Sequence, residues 1–274
     1  MAQRSYIAWC PGCGNFAIRD VLEKAFQELP LPAQNIVFTS GIGQAAKMPQ
    51  YLDVNYFNGL HGRSLPLAVG IKLARPELTV IAYSGDGCNY GEGGNHFIHT
   101  IRRRLDITIL TSNNQVYALT KGQSSPTTDF AAKNSLSPRG NQNIPLNPIS
   151  LAIAMGAPFA ARGFAGERHH LKELIKAAVL FKGTAVVDIL QPCVSFNKIN
   201  TYQWYRDRVF KLEEPVNDRY ESLKTAELWG EKIPIGVIYR NEEIECREGK
   251  KIFREVATEE DITDQLNMNC VMMR

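Results

Sequence analysis

Four apolar runs of strand length, each ending abruptly in small polar residues, constrain this chain more than any other feature. The run 35–39 leads into Ser40-Gly-Ile-Gly43, and 79–84 leads into Gly85-Asp-Gly87. The run 107–112 leads into Asn113-Asn-Gln-Val-Tyr117, and 184–190 into Gln191-Pro-Cys193. Helical patterns separate them. Continuous apolar strands alternating with helices specify an α/β fold: a mostly parallel sheet with helices on both faces. In open sheets of this kind ligands bind beyond the carboxyl ends of the strands. One edge of the sheet should therefore collect all four motifs.

The helices follow from periodicity. Ile18, Val21, Leu22, Ala25, Phe26 and Leu29 fall on one face, with Asn15 as a predicted cap and Pro30 and Pro32 as stops. Residues 64–74 place Leu65, Ala68, Val69 and Leu73 inward. A glycine-rich turn after Gly87 should lead to a helix over 96–103, and Arg102-Arg-Arg104 at its end suits the helix dipole. Helices are predicted over 149–156 and 168–182, with a strand over 158–164 between them. Residues 117–148 read as a long polar loop, which in a compact domain points to function or disorder. These elements make residues 1–200 one domain. Residues 201–274 read as an irregular C-terminal arm that packs on the domain or on a partner, with 233–239 as one further extended segment.

Asp86 stands between two glycines at the end of a buried strand, without a cationic neighbour in sequence. A carboxylate there needs a partner, and a metal ion is one way to supply it. Asn114 offers a neutral oxygen at the next strand end. A hard cation such as Mg2+ takes few protein oxygens and leaves its remaining positions to phosphates and water. A net charge of +3 over 274 residues gives no argument for nucleic acid. No apolar run reaches the length of a membrane span, and residues 1–5 lack the apolar core of a signal peptide, so a cytoplasmic location is expected. Six cysteines in that compartment point to metal or redox chemistry before disulfides.

Six motifs occur in order: Trp9-Cys-Pro-Gly-Cys-Gly14, Leu60-His-Gly-Arg63, Gly85-Asp-Gly87, Asn114-Gln-Val-Tyr117, Thr120-Lys-Gly-Gln-Ser-Ser-Pro-Thr127 and Gln191-Pro-Cys193. Together they resemble the β subunit of 2-oxoacid:ferredoxin oxidoreductases, over about residues 5–200. The resemblance implies a thiamine-diphosphate-binding fold. It implies Mg2+ held by the side chains of Asp86 and Asn114 and the carbonyl of Val116. Ile42, Gly43, His61, Gly85, Gly87, Tyr117, Leu119 and Thr120 would lie along the cofactor. It implies reversible, coenzyme A-dependent oxidative decarboxylation of a 2-oxoacid through the thiazolium ylide, with one-electron transfer through an iron–sulfur cluster to ferredoxin. An α subunit would carry the pyrimidine-binding domain and supply the acidic group that activates the cofactor. Lys47 would face the substrate carboxylate, with a solvated loop lysine as its ordinary alternative. Lys121 would meet the far end of the substrate, which favours 2-oxoglutarate over pyruvate. A thiamine-diphosphate decarboxylase or lyase without electron transfer is the alternative function.

The sequence departs from that family at one ligand. A [4Fe–4S] cluster is expected on four cysteines, of which Cys10, Cys13 and Cys193 are present. Gln44 stands where the remaining cysteine would be. A three-iron cluster, a ligand from Gln44 or another non-thiolate group, recruitment of Cys88, Cys246 or Cys270, a zinc ion, or no cluster at all are the readings left open. Cys88 is a poor substitute because it sits beside the Mg2+ motif.

Overall fold

Alternation along the strands assigns each side chain to one of two layers, and the layers decide where the helices go. The computed structural model describes residues 6–134 and 136–247. In chain order the elements are α1 (Gly14–Glu28), β1 (Ile36–Ser40), β2 (Asn55–Asn58), α2 (Ser64–Ala74), β3 (Thr79–Gly85), α3 (Gly94–Arg103) and β4 (Ile107–Asn113). A two-stranded hairpin follows, β5 (Val116–Tyr117) with β6 (Gln123–Ser124), then α4 (Pro148–Ala154), β7 (Phe159–Phe164), α5 (Arg168–Leu180) and β8 (Ala185–Leu190). The chain continues through α6 (Tyr202–Arg206), β9 (Val209–Lys211), α7 (Arg219–Glu227) and β10 (Ile233–Arg240).

The main sheet has eight strands in the order β2-β1-β3-β4-β8-β7-β10-β9. The first six run parallel, and β10 joins β7 antiparallel. Ile81 and Tyr83 of β3 face one layer, where they pack with Ile18 and Leu22 of α1 and Leu171 and Ile175 of α5. Val80 and Ala82 of the same strand face the other, with Leu65 of α2, Phe97 of α3 and Ile153 of α4. Burying each large apolar side chain of these layers contributes about 1.5–3 kcal/mol, so the two cores fix the register of every inner strand. Asn147 caps α4 by accepting from the amides of Ile149 and Ser150.

Three expectations need correction. Asn15 does not cap α1. The helix starts one residue earlier, at Gly14 with Cys13 in the cap position, and the Asn15 side chain instead accepts from Ser112 Oγ at 2.9 Å. The glycine-rich stretch after Asp86 is not a simple turn. Residues 87–92 form a widened helical turn, closed by the Gly93 amide on the Cys88 carbonyl at 2.9 Å, and α3 follows directly. Residues 201–240 are not an irregular arm, because α6, β9, α7 and β10 extend the sheet and cover it. Val209 sits opposite Ile233 and Gly236 opposite Arg162. Ile233 and Ile235 close a third apolar cluster with Phe164, Leu190 and Tyr205. The remainder of the expected arm, residues 248–274, lies outside the described residues, as does Cys270. Among the described residues no helix is long and apolar enough to cross a membrane.

Candidate active site

The strands that end in the four motifs are neighbours. β1, β3, β4 and β8 lie side by side and parallel, so their carboxyl ends form one continuous rim. Across that rim the order is Gly41–Gly43, Gly85–Gly87, Asn113–Tyr117, then Gln191–Cys193. The alignment is enforced by register, with Gly85 opposite Ser112 and Asn113 opposite Leu190.

Asp86 is 2% exposed. Burial raises its carboxyl above the ordinary range, and hydrogen bonds from Ser125 and Thr127 oppose that rise. Ser125 Oγ donates to Asp86 Oδ2 at 2.5 Å and Thr127 Oγ1 to the same oxygen at 2.9 Å. A cation bound there would remove the remaining cost of the charge. Asn114 Oδ1 accepts from the Val116 amide at 3.1 Å, and Asn197 Nδ2 donates to the Asn114 carbonyl at 3.2 Å. Between Asn114 and Val116, Gln115 adopts φ +61, a left-handed conformation that costs a residue with a side chain about 1–3 kcal/mol. Its side chain holds that conformation in place. Nε2 donates to the Thr127 carbonyl at 2.8 Å and to Asp129 at 3.1 Å, while Oε1 accepts from Tyr205 OH at 3.1 Å.

One pocket is lined by Asp86, Asn114 and Val116 together with Ile42, Gly43, His61, Gly85, Gly87, Tyr117, Leu119 and Thr120. All the residues expected along the metal and the diphosphate thus converge on one space. The oxygen donors are a carboxylate, a carboxamide and a backbone carbonyl, the hard set that Mg2+ takes. Gly87 lies against the Tyr117 ring so closely that a Cβ there would sit 2.3 Å from Cε1. His61 Nδ1 is 2.9 Å from Glu92 Oε2, and its ring lies 6.1 Å from that of Tyr117. Cys88 lines the same pocket and accepts the Gly62 amide at 3.2 Å. Lys47 and Lys121 are not brought into the lining. Lys47 sits in the 3-10 turn Ala45–Tyr51, and exposed Lys121 follows Thr120 at φ +84. A roomier cavity of about 340 Å3 is lined by Asn113, Thr127, Asp129, Asp188 and Trp229. It contains none of the expected ligands.

A second small cavity adjoins the pocket. Cys10, Cys13 and Cys193 line it with Trp9, Asn15 and Gln44. Gln44, Asn114 and Ala118 line both spaces and so form the wall between them. The Gly14 amide donates to the Pro192 carbonyl at 3.2 Å, which ties the first cysteine turn to the last strand end. Gln191 Nε2 lies 3.5 Å from Cys13 Sγ. Burial, with the Cys193 and Cys10 thiols adding to it, pushes Cys13 up to about 11. Such a thiol becomes a thiolate at neutral pH only with a metal bound. Among the described residues no three His, Cys, Asp or Glu side chains are placed to hold one metal ion. A cluster asks for something different, since each thiolate takes a separate iron. Three thiols on one small cavity, with Cys193 buried and Cys10 at its exposed side, fit that demand.

Several contributors escaped the sequence reading. Ser125 and Thr127, which hold Asp86, fall in the motif 120–127 but carried no role there. Their signal was a run of hydroxyl residues, Ser124-Ser-Pro-Thr-Thr128, in a loop of functional length. Asp129 accepts from Gln115, Asn200 and Trp229, so the 113–117 segment is braced from as far away as Trp229. No local pattern announces that brace.

Comparison with known proteins places this geometry. The family described as "Thiamine pyrophosphate enzyme, C-terminal TPP binding domain" matches residues 37–189. The family of the C-terminal part of the pyruvate ferredoxin oxidoreductase beta chain matches residues 193–251. The chain is 47% identical to subunit beta of 2-oxoacid:ferredoxin oxidoreductase 1 of Aeropyrum pernix, over 85% of this chain and 77% of that relative. It is 43% identical to a 2-oxoglutarate oxidoreductase subunit of Mycobacterium tuberculosis, over 70% of this chain and 51% of that relative. A solved structure of 2-oxoglutarate:ferredoxin oxidoreductase from Magnetococcus marinus, with 2-oxoglutarate, coenzyme A and succinyl-CoA bound, is similar with a TM-score of 0.89. Its identity is 33%, covering 96% of this chain and 93% of that one.

Proposed function

The chain belongs to the β-subunit family of the 2-oxoacid:ferredoxin oxidoreductases, and from that membership we propose a specific working site. It is a subunit of a coenzyme A-dependent enzyme that oxidises 2-oxoacids, and it carries the thiamine-diphosphate-binding domain. In our reading Asp86 and Asn114 hold Mg2+ through side-chain oxygens and Val116 through its carbonyl. Gly85 and Gly87 let the backbone approach the diphosphate, with Ile42, Gly43, His61, Tyr117, Leu119 and Thr120 along the rest of the cofactor. Cys10, Cys13 and Cys193 hold an iron–sulfur cluster behind the Gln44–Asn114–Ala118 wall. When bound, thiamine diphosphate supplies a nucleophilic carbon and an electron-accepting ring for decarboxylation.

The observation that carries this reading is the convergence of eleven expected residues on a single pocket whose wall is shared with the three-cysteine cavity. Ser125 and Thr127 keep Asp86 oriented toward the metal, and Gln115 fixes the turn that presents Asn114 and Val116. Ile42 in the pocket lining, Tyr56 and Phe57 on the edge strand β2, and Leu60 just after it are all exposed apolar groups. That surface fits cover by an α subunit bearing the pyrimidine-binding domain. Residues 1–200 would carry the cofactor and cluster ligands, Tyr205 and Trp229 would brace them, and the part of the chain after 200 would meet the partner. Ferredoxin would take the electrons.

For the substrate we favour 2-oxoglutarate over pyruvate. Lys121, exposed just past Thr120 at the pocket mouth, offers a cation to a second carboxylate, while Lys47 pairs with the first. Steady-state kinetics of the assembled complex test this. Lys121→Ala should raise KM for 2-oxoglutarate by about tenfold or more while leaving KM for pyruvate nearly unchanged, as expected for one lost charge-assisted contact. Equal effects on both substrates would remove Lys121 from specificity.

A further inference from the structure

We infer that Gln44 supplies the fourth ligand, through Oε1, to the cluster held by Cys10, Cys13 and Cys193. The inference rests on the cluster reading above and goes beyond it by naming a neutral oxygen as the ligand.

Two residues that line the three-cysteine cavity carry orphaned polar atoms of opposite kind. Gln44 Oε1 is a buried acceptor with no hydrogen-bond partner, and Asn15 Nδ2 is a buried donor with none. Buried polar groups left unpaired are costly and uncommon. An iron–sulfur cluster satisfies both at once. An iron takes a lone pair from the amide oxygen, and a sulfide or thiolate accepts the Asn15 N–H. The backbone at Gln44 is already fixed for this task, because Trp9 Nε1 donates to its carbonyl at 2.8 Å, one residue before Cys10.

The competing ligands are placed elsewhere. Cys88 lines the cofactor pocket and its sulfur accepts the Gly62 amide. Cys246 precedes Arg247, whose amide donates to the Arg104 carbonyl at 2.9 Å. Arg104 lies just before β4, so Cys246 is at the opposite end of the strands from the cavity. Gln191 also has an unpaired Oε1, but its Nε2 lies on the Pro192 carbonyl at 2.7 Å and on Cys13 Sγ, and it is not part of the cavity lining. Cys270 lies outside the described residues.

A neutral oxygen in place of a thiolate has two consequences. It leaves one negative charge fewer on the cluster, which raises its reduction potential. It also holds its iron less firmly, because soft iron–sulfur chemistry favours thiolate over carboxamide. The test uses the full chain purified anaerobically with its partner subunit, as wild type, Gln44→Cys, Gln44→Glu and Gln44→Ala. Iron and sulfide counts, EPR before and after mild oxidation, and the midpoint potential are the readouts. Because Gln44 also lines the cofactor pocket, far-UV circular dichroism and the thermal melting profile serve as the control for folding. Wild type should carry about four irons per chain and lose one on mild oxidation, giving a three-iron EPR signal. Gln44→Cys should keep all of them through the same oxidation and show a lower midpoint potential. Gln44→Glu should also lower the potential, so the test survives if the cysteine variant misfolds. Gln44→Ala should lose the fourth iron on isolation. Four proteins with the same iron count, oxidation behaviour and potential would overturn the assignment while leaving the cluster intact. A wild type without iron would overturn the cluster reading and the ligand assignment with it.

Discussion

At the scale of single residues the site depends on how Asp86 is held. Its carboxylate is buried and pushed toward protonation, and Ser125, Thr127 and the amides of Gly87 and Asp86 oppose that rise. Removing the ligand and removing its supports should therefore differ in degree. Asp86→Ala should weaken Mg2+-dependent thiamine diphosphate binding by at least about a hundredfold, and Ser125→Ala by about tenfold, measured by titration calorimetry. Equal affinities in all three proteins would place the metal elsewhere. Asp86 and Asn114 stood out in the sequence because each follows an apolar strand with a polar residue, whereas Val116 was named only through the family resemblance. The part played by Ser125 and Thr127 was not legible there, since it is set by a contact across some forty residues of chain, from Asp86 past α3 and β4 to Thr127.

At the scale of elements, the helices and inner strands were readable because their apolar periodicity survives in the sequence. The strands run as continuous apolar stretches, and α2 begins and ends at the residues its pattern indicates. What failed was chemistry without a period. Asn15 has the residue type of a cap, but its side chain is drawn to Ser112 across the sheet edge. The hairpin β5–β6 is too short to show alternation. Two element-level consequences can be measured. Gly14 opens α1 against the end of β8, and a Cβ there would lie 2.8 Å from Gln191 Cγ and 3.2 Å from the Pro192 nitrogen. Gly14→Ala should push the Cys10–Cys13 turn from Cys193 and lower iron content, with thiamine diphosphate binding retained. The second concerns β8 beneath the metal loop. Tyr90 OH donates to Asp188 at 3.0 Å and Asn113 Nδ2 at 3.2 Å, yet burial still pushes the carboxyl up to about 6. The folded protein then holds this proton more tightly than the unfolded chain, whose aspartate titrates near 4. The stability it contributes is full below about pH 4 and is lost as pH rises through about 6. Denaturation midpoints of wild type should fall relative to Asp188→Asn over that window, and parallel curves would show that Asp188 does not titrate there.

At the scale of the whole molecule, four neighbouring parallel strands deliver their ends to one rim, and that arrangement places the candidate cofactor pocket and a three-cysteine cavity on either side of a shared wall. The sequence foretold the rim, because strand ends in α/β sheets converge by topology. It did not foretell that residues 201–240 would complete the sheet and brace the metal loop through Tyr205 and Trp229, since contacts across ninety to a hundred residues leave no local trace. The account as a whole requires that decarboxylation be coupled to electron transfer through this wall. The most direct measurement is anaerobic turnover of the assembled complex with 2-oxoglutarate, following carbon dioxide release and viologen reduction together. The account predicts that both depend on coenzyme A and Mg2+ and proceed in step, with about two electrons delivered per carbon dioxide. Carbon dioxide released without dye reduction, and without need of coenzyme A, would contradict it and leave a decarboxylase.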